Sequence, residues 1–503
     1  MRERVIGYYL GLSPAAGAFK AALRIPNLLQ NLLGEGVLSA SFIPVYSRLV
    51  AEGRSEEASR AARAIATLLA VVASAVALAG VALARPLVDV LAPGFETTTR
   101  ELTIQLVRVL FPGIALLVMS AWCLGVLNSH RKFFLSYASP VLWNAAIIAT
   151  TIAAGRWVAG HDADIALWLA YGAVIGSAAQ FLVQLPTVAS VLRSARPVIA
   201  MRDLAVRSTL RAFVPVFIAR GSVQLSGYID QVIASYLGPA LVAALANAQT
   251  LYLLPVSLFG MAISAAELPE MSSATGDREA QMRHVHDRLT PALRRVVFFV
   301  VPSAVAFVAI GGPMIALLFQ TGRFSASDTN IVWIALAGSA LGLSAGTTGR
   351  LLASAFYALR EPQPPLRAAL ARVALTAAAG WAFALPVRHA VGYSAEWGAF
   401  GLTSSAGFAA WIEFLLLRRW LEARIGKIAM PTRLGMTALA AASVAGGAGF
   451  WLSRMLHLIA FPTWLGSFAA IAVFALIYLG GTAAADIPEA RALLGTVRRA
   501  IRR

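Results

Sequence analysis

Charge is what this chain has least of. Asp, Glu, Lys and Arg make up 13% of its 503 residues against 59% hydrophobic, where a water-soluble domain carries roughly 25% charged residues. The surface that would dissolve such a fold in water is missing, which excludes a soluble enzyme or binding module. A single cysteine, Cys123, lies inside an apolar run; neither a disulfide framework nor a cysteine metal site is open to the chain. Strict alternation of apolar and polar residues is also absent, so a lipid-facing β-barrel is excluded. No G-x-x-x-x-G-K-[ST] loop or H-E-x-x-H occurs, which removes the obvious case for an ATPase or zinc protease. Arg2, Glu3 and Arg4 are not followed by an isolated short apolar core with a small-residue cleavage site, so no cleavable signal peptide is expected.

What is present is a succession of long apolar runs. About 20 apolar residues in a helix cross a bilayer core of about 30 Å, and in lipid only helices or closed barrels satisfy every backbone polar group. The runs are residues 64–92, 102–127, 135–155, 164–192, 212–238, 241–268, 296–320, 328–357, 366–387, 396–417, 434–453 and 459–481. A more polar run covers 16–47, and residues 4–12 read as the second half of a truncated first helix. The fold class is therefore an all-α polytopic membrane protein of about fourteen helices. Basic residues collect in every second gap: 29 of the 42 lie in one set of gaps and the C-terminal tail, and 6 in the other. Lys and Arg stay cytoplasmic, so both termini are expected there. The net charge of +18 is spread over helix ends instead of one groove, which argues for topology signals and anionic headgroups and against nucleic acid.

The chain also echoes itself. Pro44-Val-Tyr-Ser47 corresponds to Pro269-Glu-Met-Ser272, Ala92-Pro-Gly-Phe95 to Thr321-Gly-Arg-Phe324, and Arg131 to Arg360, at offsets of 225, 229 and 229. The shared spacing suggests two six-helix repeats in the same orientation, as in carriers that rock two halves about a central site. The expected organisation is an N-terminal lobe (1–195), a C-terminal lobe (196–428), two extra helices (429–485) and a basic cytoplasmic tail (486–503).

Several polar residues sit where lipid disfavours them. Lys20, Arg24, Asn27, Asn31 and Glu35 recur by four, three, four and four, a stripe within roughly a quarter of the helix circumference. A mid-membrane charge costs about 2.5 to 3.5 kcal/mol even on the lenient insertion scale, so the stripe should face protein or a water-filled cavity. The plainer alternative is that Lys20 and Arg24 snorkel and the rest pair with neighbouring helices. Arginine's fork of donors suits phosphate, so a cationic cavity here would suit a phosphate-bearing substrate. Arg220 and Gln224 share a face of the 212–238 run. Asp230 either binds a coupling cation or pairs with an arginine. Glu267 and Glu270 are expected to cap their helix, and His284 and His286 to lie in a polar loop without metal; no metal site or cofactor is expected.

Arg24-Ile-Pro-Asn-Leu-Leu29 followed by Gly34-Glu-Gly-Val-Leu-Ser-Ala-Ser-Phe-Ile-Pro44 resembles the signature of the MurJ (MviN) lipid II flippases of the MOP exporter superfamily. Ala92-Pro-Gly-Phe95, Leu127-Asn128, Gln184-Leu-Pro186 and Leu318-Phe-Gln-Thr-Gly-Arg-Phe324 are similar to that family in the same order. The resemblance implies two six-helix lobes in a V around a cationic cavity, and a final helix pair forming a groove for a polyprenyl tail. It implies a monomeric transporter, not an enzyme, in the bacterial inner membrane. Its implied task is to move undecaprenyl-diphosphate-linked peptidoglycan precursor to the periplasmic leaflet by alternating access, for cell wall biosynthesis. Arg2 aligns with a basic residue of the family's first helix, and Arg24 and Glu35 fall on its second-helix motif. The expected substrate-binding set is Arg2, Lys20, Arg24, Asn27, Asn31, Glu35 and Arg220, with Asp230 for ion coupling; lipid II, membrane lipids and a coupling cation or membrane potential are the expected partners. The family commonly has an acidic residue where Gly17 stands, and arginines where Gln30 and Thr250 stand. An exporter of another lipid-linked oligosaccharide and a non-transporting scaffold for wall synthesis are the alternatives.

Overall fold

The computed structural model describes the chain except residues 159, 193–195, 201, 274–276, 460 and 502–503; at 35, 218–226, 494, 496–498 and 500–501 it describes the helix backbone alone. The contacts divide the chain into two compact units, Met1–Ala243 and Ala244–Arg503. The first holds α1 (Arg2–Leu10), α2 (Pro14–Leu33), α3 (Glu35–Ser41), α4 (Ile43–Ala51), α5 (Ser55–Ala82), α6 (Ala84–Leu91), α7 (Thr97–Ser129), α8 (Phe133–Trp157), α9 (Asp162–Leu192) and α10 (Leu204–Leu237), and ends in the first turn of α11 (Pro239–Pro255). The second continues from α11 through a π-helical turn, Val256–Met261, into α12 (Ala262–Ser272), α13 (Arg278–Ala309), α14 (Gly311–Phe319), α15 (Ala326–Ala358), α16 (Gln363–Ala384), α17 (Pro386–Val391), α18 (Ala395–Ile425), α19 (Thr432–Leu458), α20 (Thr463–Ala484) and α21 (Pro488–Ile501).

Among the described residues twelve helical stretches are long and apolar enough to cross a membrane. The nine-residue α1 and the 34-residue α10 are outside those twelve, so the expected count of fourteen rests on these two. The 16–47 run is one such stretch, Pro14–Ala51, but its helix is interrupted at Gly34 and again at Phe42.

The internal echo has a structural counterpart. Helices α7 and α15 are each 33 residues long, and both their starts and their ends are separated by the 229-residue offset read from the sequence. Each follows a short helix and a turn that buries an aromatic ring, Phe95 or Phe324. Each ends in the same reversal: the amides of Lys132 and Glu361 donate to the carbonyls of Leu127 and Phe356, both at 2.9 Å. Arg131 and Arg360 take the left-handed position of that turn at φ 58° and 61°, a place usually given to glycine. Arg360→Gly should therefore unfold at the same or a higher temperature than the parent. Arg360→Val should lose about 1 to 2 kcal/mol, because a Cβ branch makes the left-handed conformation costlier; thermal unfolding in detergent compares the two.

In the first unit α7 is central, lying against α2, α5 and α9, while α8 covers α9. Gln184, fully buried on α9, places its amide nitrogen 2.7 Å from Ser120 Oγ of α7 and 2.8 Å from Ser139 Oγ of α8. Such side-chain hydrogen bonds tie helices together where lipid offers no hydrophobic incentive to associate. In the second unit α15 lies against α13 and α18, and α16 against α18. The extra pair α19 and α20 joins that body through α13 and α14. Ala438, Ala442 and Ala445 of α19 are buried against Phe298, Ala306 and Ile310, small residues that let helix backbones approach closely.

Candidate functional site

Charge gathers first between α1 and α2. Arg2 lies 2.6 Å from Glu3, and the Lys20 ammonium pairs with the other oxygen of the same carboxylate. Two cations thus share one anion, and all three side chains are largely withdrawn from solvent. The Arg2 guanidinium also sits 4.9 Å from the centre of the Trp143 ring, a cation–π contact. That ring is fixed by its indole N–H, which donates to the Ala173 carbonyl at 3.1 Å. A cavity of about 290 Å3 opens beside this group, lined by Arg2, Asn27, Gln30, Trp143, Asn144 and Gln180 among others. Apart from Arg2 the polar lining groups are neutral: side-chain amides, the Ser120 hydroxyl and the Trp143 indole. Gln30, where the family commonly has an arginine, contributes a neutral amide.

One turn further along α2 the surroundings change. Arg24 turns toward α10: its guanidinium lies 5.9 Å from the Tyr228 ring centre and within electrostatic reach of Asp230. The Tyr228 hydroxyl donates to the Arg24 carbonyl at 3.0 Å. Gly227 makes room for the arginine, since a Cβ there would stand 2.6 Å from Arg24 Nη2. On the same side of α2, Gln231 donates to the Ala21 carbonyl at 3.5 Å. Gly17 meets Pro239, whose carbonyl oxygen would be 2.1 Å from an added Cβ. Positions 17, 21 and 24 thus meet 239, 231 and 227–228 in reverse order, a run of antiparallel contact.

The stripe expected on α2 is therefore divided among four surroundings. Lys20 goes to Glu3, Arg24 to α10, and Asn27 to the cavity; Asn31 is exposed. Asp230 is brought to an arginine. The side chains of Glu35, Arg220 and Gln224 lie outside the described residues. The helix break at Gly34 separates Glu35 from the phase of the other four. Thr250, where the resemblance implies an arginine, is exposed and donates to its own helix at Ala246, 3.1 Å away.

Sequence reasoning missed an ionic group inside the second unit. Arg372 of α16 donates to Glu413 of α18 at 3.0 Å, and Arg350 of α15 lies in the field of both and of Tyr252. Arg350 is exposed although it belongs to a stretch able to cross a membrane. A charge so placed faces water or protein, not lipid. The signal was available, because Arg350 and Glu413 interrupt two apolar runs.

At the polar ends of α12 and α13 the acidic residues do something other than cap. Glu267 is 5% exposed and accepts from Arg295 at 3.1 Å, with Arg288 at 3.4 Å. Glu270 accepts from Arg288 at 3.0 Å. Both carboxylates clamp α12 onto α13, a correction to the capping expected from their position. His284 Nε2 lies 2.9 Å from the Glu270 carbonyl and His286 Nε2 3.2 Å from that of Lys427. Among the described residues no group of three or more His, Cys, Asp or Glu could hold a metal ion.

His130, in the turn after α7, meets the Tyr46 hydroxyl at 2.9 Å. Partial burial, and then the nearby Lys132 charge, lower its pKa from the usual histidine value. The native state therefore binds fewer protons there than the unfolded chain. Its contribution to stability is complete above the ordinary value of about 6.5 and declines as pH falls through that value toward the lowered one. Unfolding temperatures of the parent and His130→Gln should converge between pH 7.5 and 5.5, within about 1 kcal/mol because the site is partly exposed.

A family model described as lipid II flippase MurJ matches residues 6–472. The lipid II flippase MurJ of Burkholderia cenocepacia is 32% identical over 430 residues, covering 84% of this chain and 80% of that protein. A probable lipid II flippase MurJ of Rhizobium meliloti is 28% identical over 496 residues, covering 96% and 88%. Among solved structures, one of a lipid II flippase MurJ in an inward closed conformation aligns with a TM-score of 0.74 at 21% identity, over 96% of this chain and 94% of that one. An inward-facing multidrug resistance MATE transporter of the MOP superfamily aligns at 0.68 and 17% identity, over 87% and 94%.

Proposed function

Because this chain belongs to the lipid II flippase MurJ family, we propose that it is a transporter carrying lipid II from the cytoplasmic to the periplasmic leaflet by alternating access, without chemical change to the substrate. The observation that supports this beyond kinship is the Arg2, Glu3 and Lys20 group beside an amide-lined cavity. Arg2 and Lys20 offer donors to a diphosphate, and Asn27 and Asn31 offer amides to uncharged sugar hydroxyls. Glu3 is the resident counter-anion. It keeps the two cations paired while no substrate is present, and a diphosphate takes its place. A carrier needs such a competitor, since a site that held the diphosphate too firmly would not release it. Glu35 and Arg220 belong to this set on sequence grounds alone, and Asp230 acts through Arg24. Cytoplasmic termini, action as a monomer and coupling to a cation or the membrane potential complete the reading; the exposed apolar residues of α19 and α20, such as Trp451, Phe468 and Leu476, are where a polyprenyl tail would lie.

Complementation tests it. Expressed in a bacterium depleted of its own lipid II flippase, the chain should restore growth and bring labelled lipid II to the periplasmic face. No rescue and no exposure, with the protein confirmed in the membrane, would sink the reading in favour of another lipid-linked substrate.

A further inference from the structure

The last helix, α21, begins at the level where the fold passes from polar to apolar. Helix α13 marks that level in sequence: residues 278–295 contain ionisable side chains throughout, and from Val296 to Ala309 there is none. Glu489, in the first turn of α21, accepts two hydrogen bonds from Arg294, at 2.8 and 3.1 Å. Just before it the chain reverses sharply. Asp486 takes φ 58°, and the Ile487 amide donates to the Thr482 carbonyl at 3.1 Å. Ile487 and Ala490 are buried in the core formed with α13, α19 and α20. The origin of α21 is therefore fixed at the edge of the apolar layer.

Its sequence then follows one helical pattern. Past the buried Ala490, apolar residues recur at 493, 494, 497 and 501, and arginines within the helix at 491, 498 and 499. At about 100° per residue the apolar positions fall within an arc of roughly 100°, and the three arginines occupy another arc that does not overlap it. Arg491 and Arg499 are exposed, and Gly495, on the arginine side, has open space around it.

We propose that α21 is an interfacial helix: beyond Ala490 its apolar arc enters the headgroup and acyl boundary of the bilayer, and Arg498 and Arg499 bind the phosphates of anionic phospholipids. The charge selects the occupant. A short aliphatic face without aromatic residues, flanked by arginines, suits an anionic lipid surface better than a protein groove, where buried aromatic anchors dominate. Anchored there, α21 braces the junction of α13 with α19 and α20 against the membrane plane. The side of the membrane on which it does so rests on the topology proposed above.

The test uses the full chain in vesicles with acyl-brominated lipids, in a Cys123→Ala background. An environment-sensitive fluorophore is attached at Leu493→Cys or Gly495→Cys, on the two opposed arcs. With phosphatidylglycerol present, quenching at 493 should exceed that at 495 by about twofold or more. The difference should shrink with added salt, in phosphatidylcholine alone, and in Arg498→Gln/Arg499→Gln. Equal quenching at both positions, or a difference indifferent to phosphatidylglycerol, would overturn the proposal. A membrane-impermeant reductant applied to the same samples reports which face carries the helix; that readout judges the topology, and the quenching alone judges the docking.

Discussion

Cells whose only lipid II flippase is the Arg24→Glu form of this protein should not grow, although the variant inserts in the membrane. The substitution places a carboxylate where a guanidinium now lies over Tyr228 and in the field of Asp230. Two like charges then share a poorly hydrated site, and the original counter-charge is left without its partner. Breaking a fully buried pair costs on the order of 3 to 5 kcal/mol, and since both side chains here are half-buried the lower end of that range applies. If that loss falls on the transporting conformation, the rate drops by roughly two orders of magnitude. The exchange Arg24→Glu/Asp230→Arg separates pairing from substrate contact. Restored lipid II exposure would show that Arg24 holds α2 against α10. Continued loss with normal expression and unfolding temperature would assign it to the substrate. Normal growth on the single variant would remove Arg24 from the mechanism altogether.

Gly17→Asp, which supplies the acidic residue common in the family, should impair the protein instead of improving it. An added Cβ at 17 would fall 2.1 Å from the Pro239 carbonyl oxygen, and backbone cannot swing aside as a flexible side chain can. Overpacking alone costs about 1 to 3 kcal/mol, and a carboxylate facing a carbonyl oxygen adds the cost of an unpartnered buried charge. The expected result is a lower unfolding temperature and loss of rescue. Gly17→Ala carries the steric part without the charge and should be hurt less. Unchanged activity in Gly17→Asp would mean that the α2 contact with Pro239 is dispensable to transport. The glycine and Pro239 thus belong together, and the departure at 17 is read as a local repacking of this chain.

The membrane class, the basic gaps and the 229-residue offset were legible in the sequence, because each follows from composition or from spacing along one chain. Apolar length fixes a spanning helix through the bilayer's dimensions, and a duplicated helix keeps its length and its terminal turn, as Arg131 and Arg360 do. Kinship was legible too, since the second-helix signature lies within one stretch. Only the tertiary structure decided which polar residues meet. A period of 3.6 places Lys20, Arg24 and Asn27 on one side of α2 but says nothing of what stands opposite each. Lys20 is answered by Glu3, 17 residues away, and Arg24 by Tyr228, 204 residues away. Arg350, Arg372 and Glu413 likewise come from three separate helices. Their grouping depends on how helices pack, and packing in lipid is set by close approach and hydrogen bonding between distant segments, which no local pattern encodes.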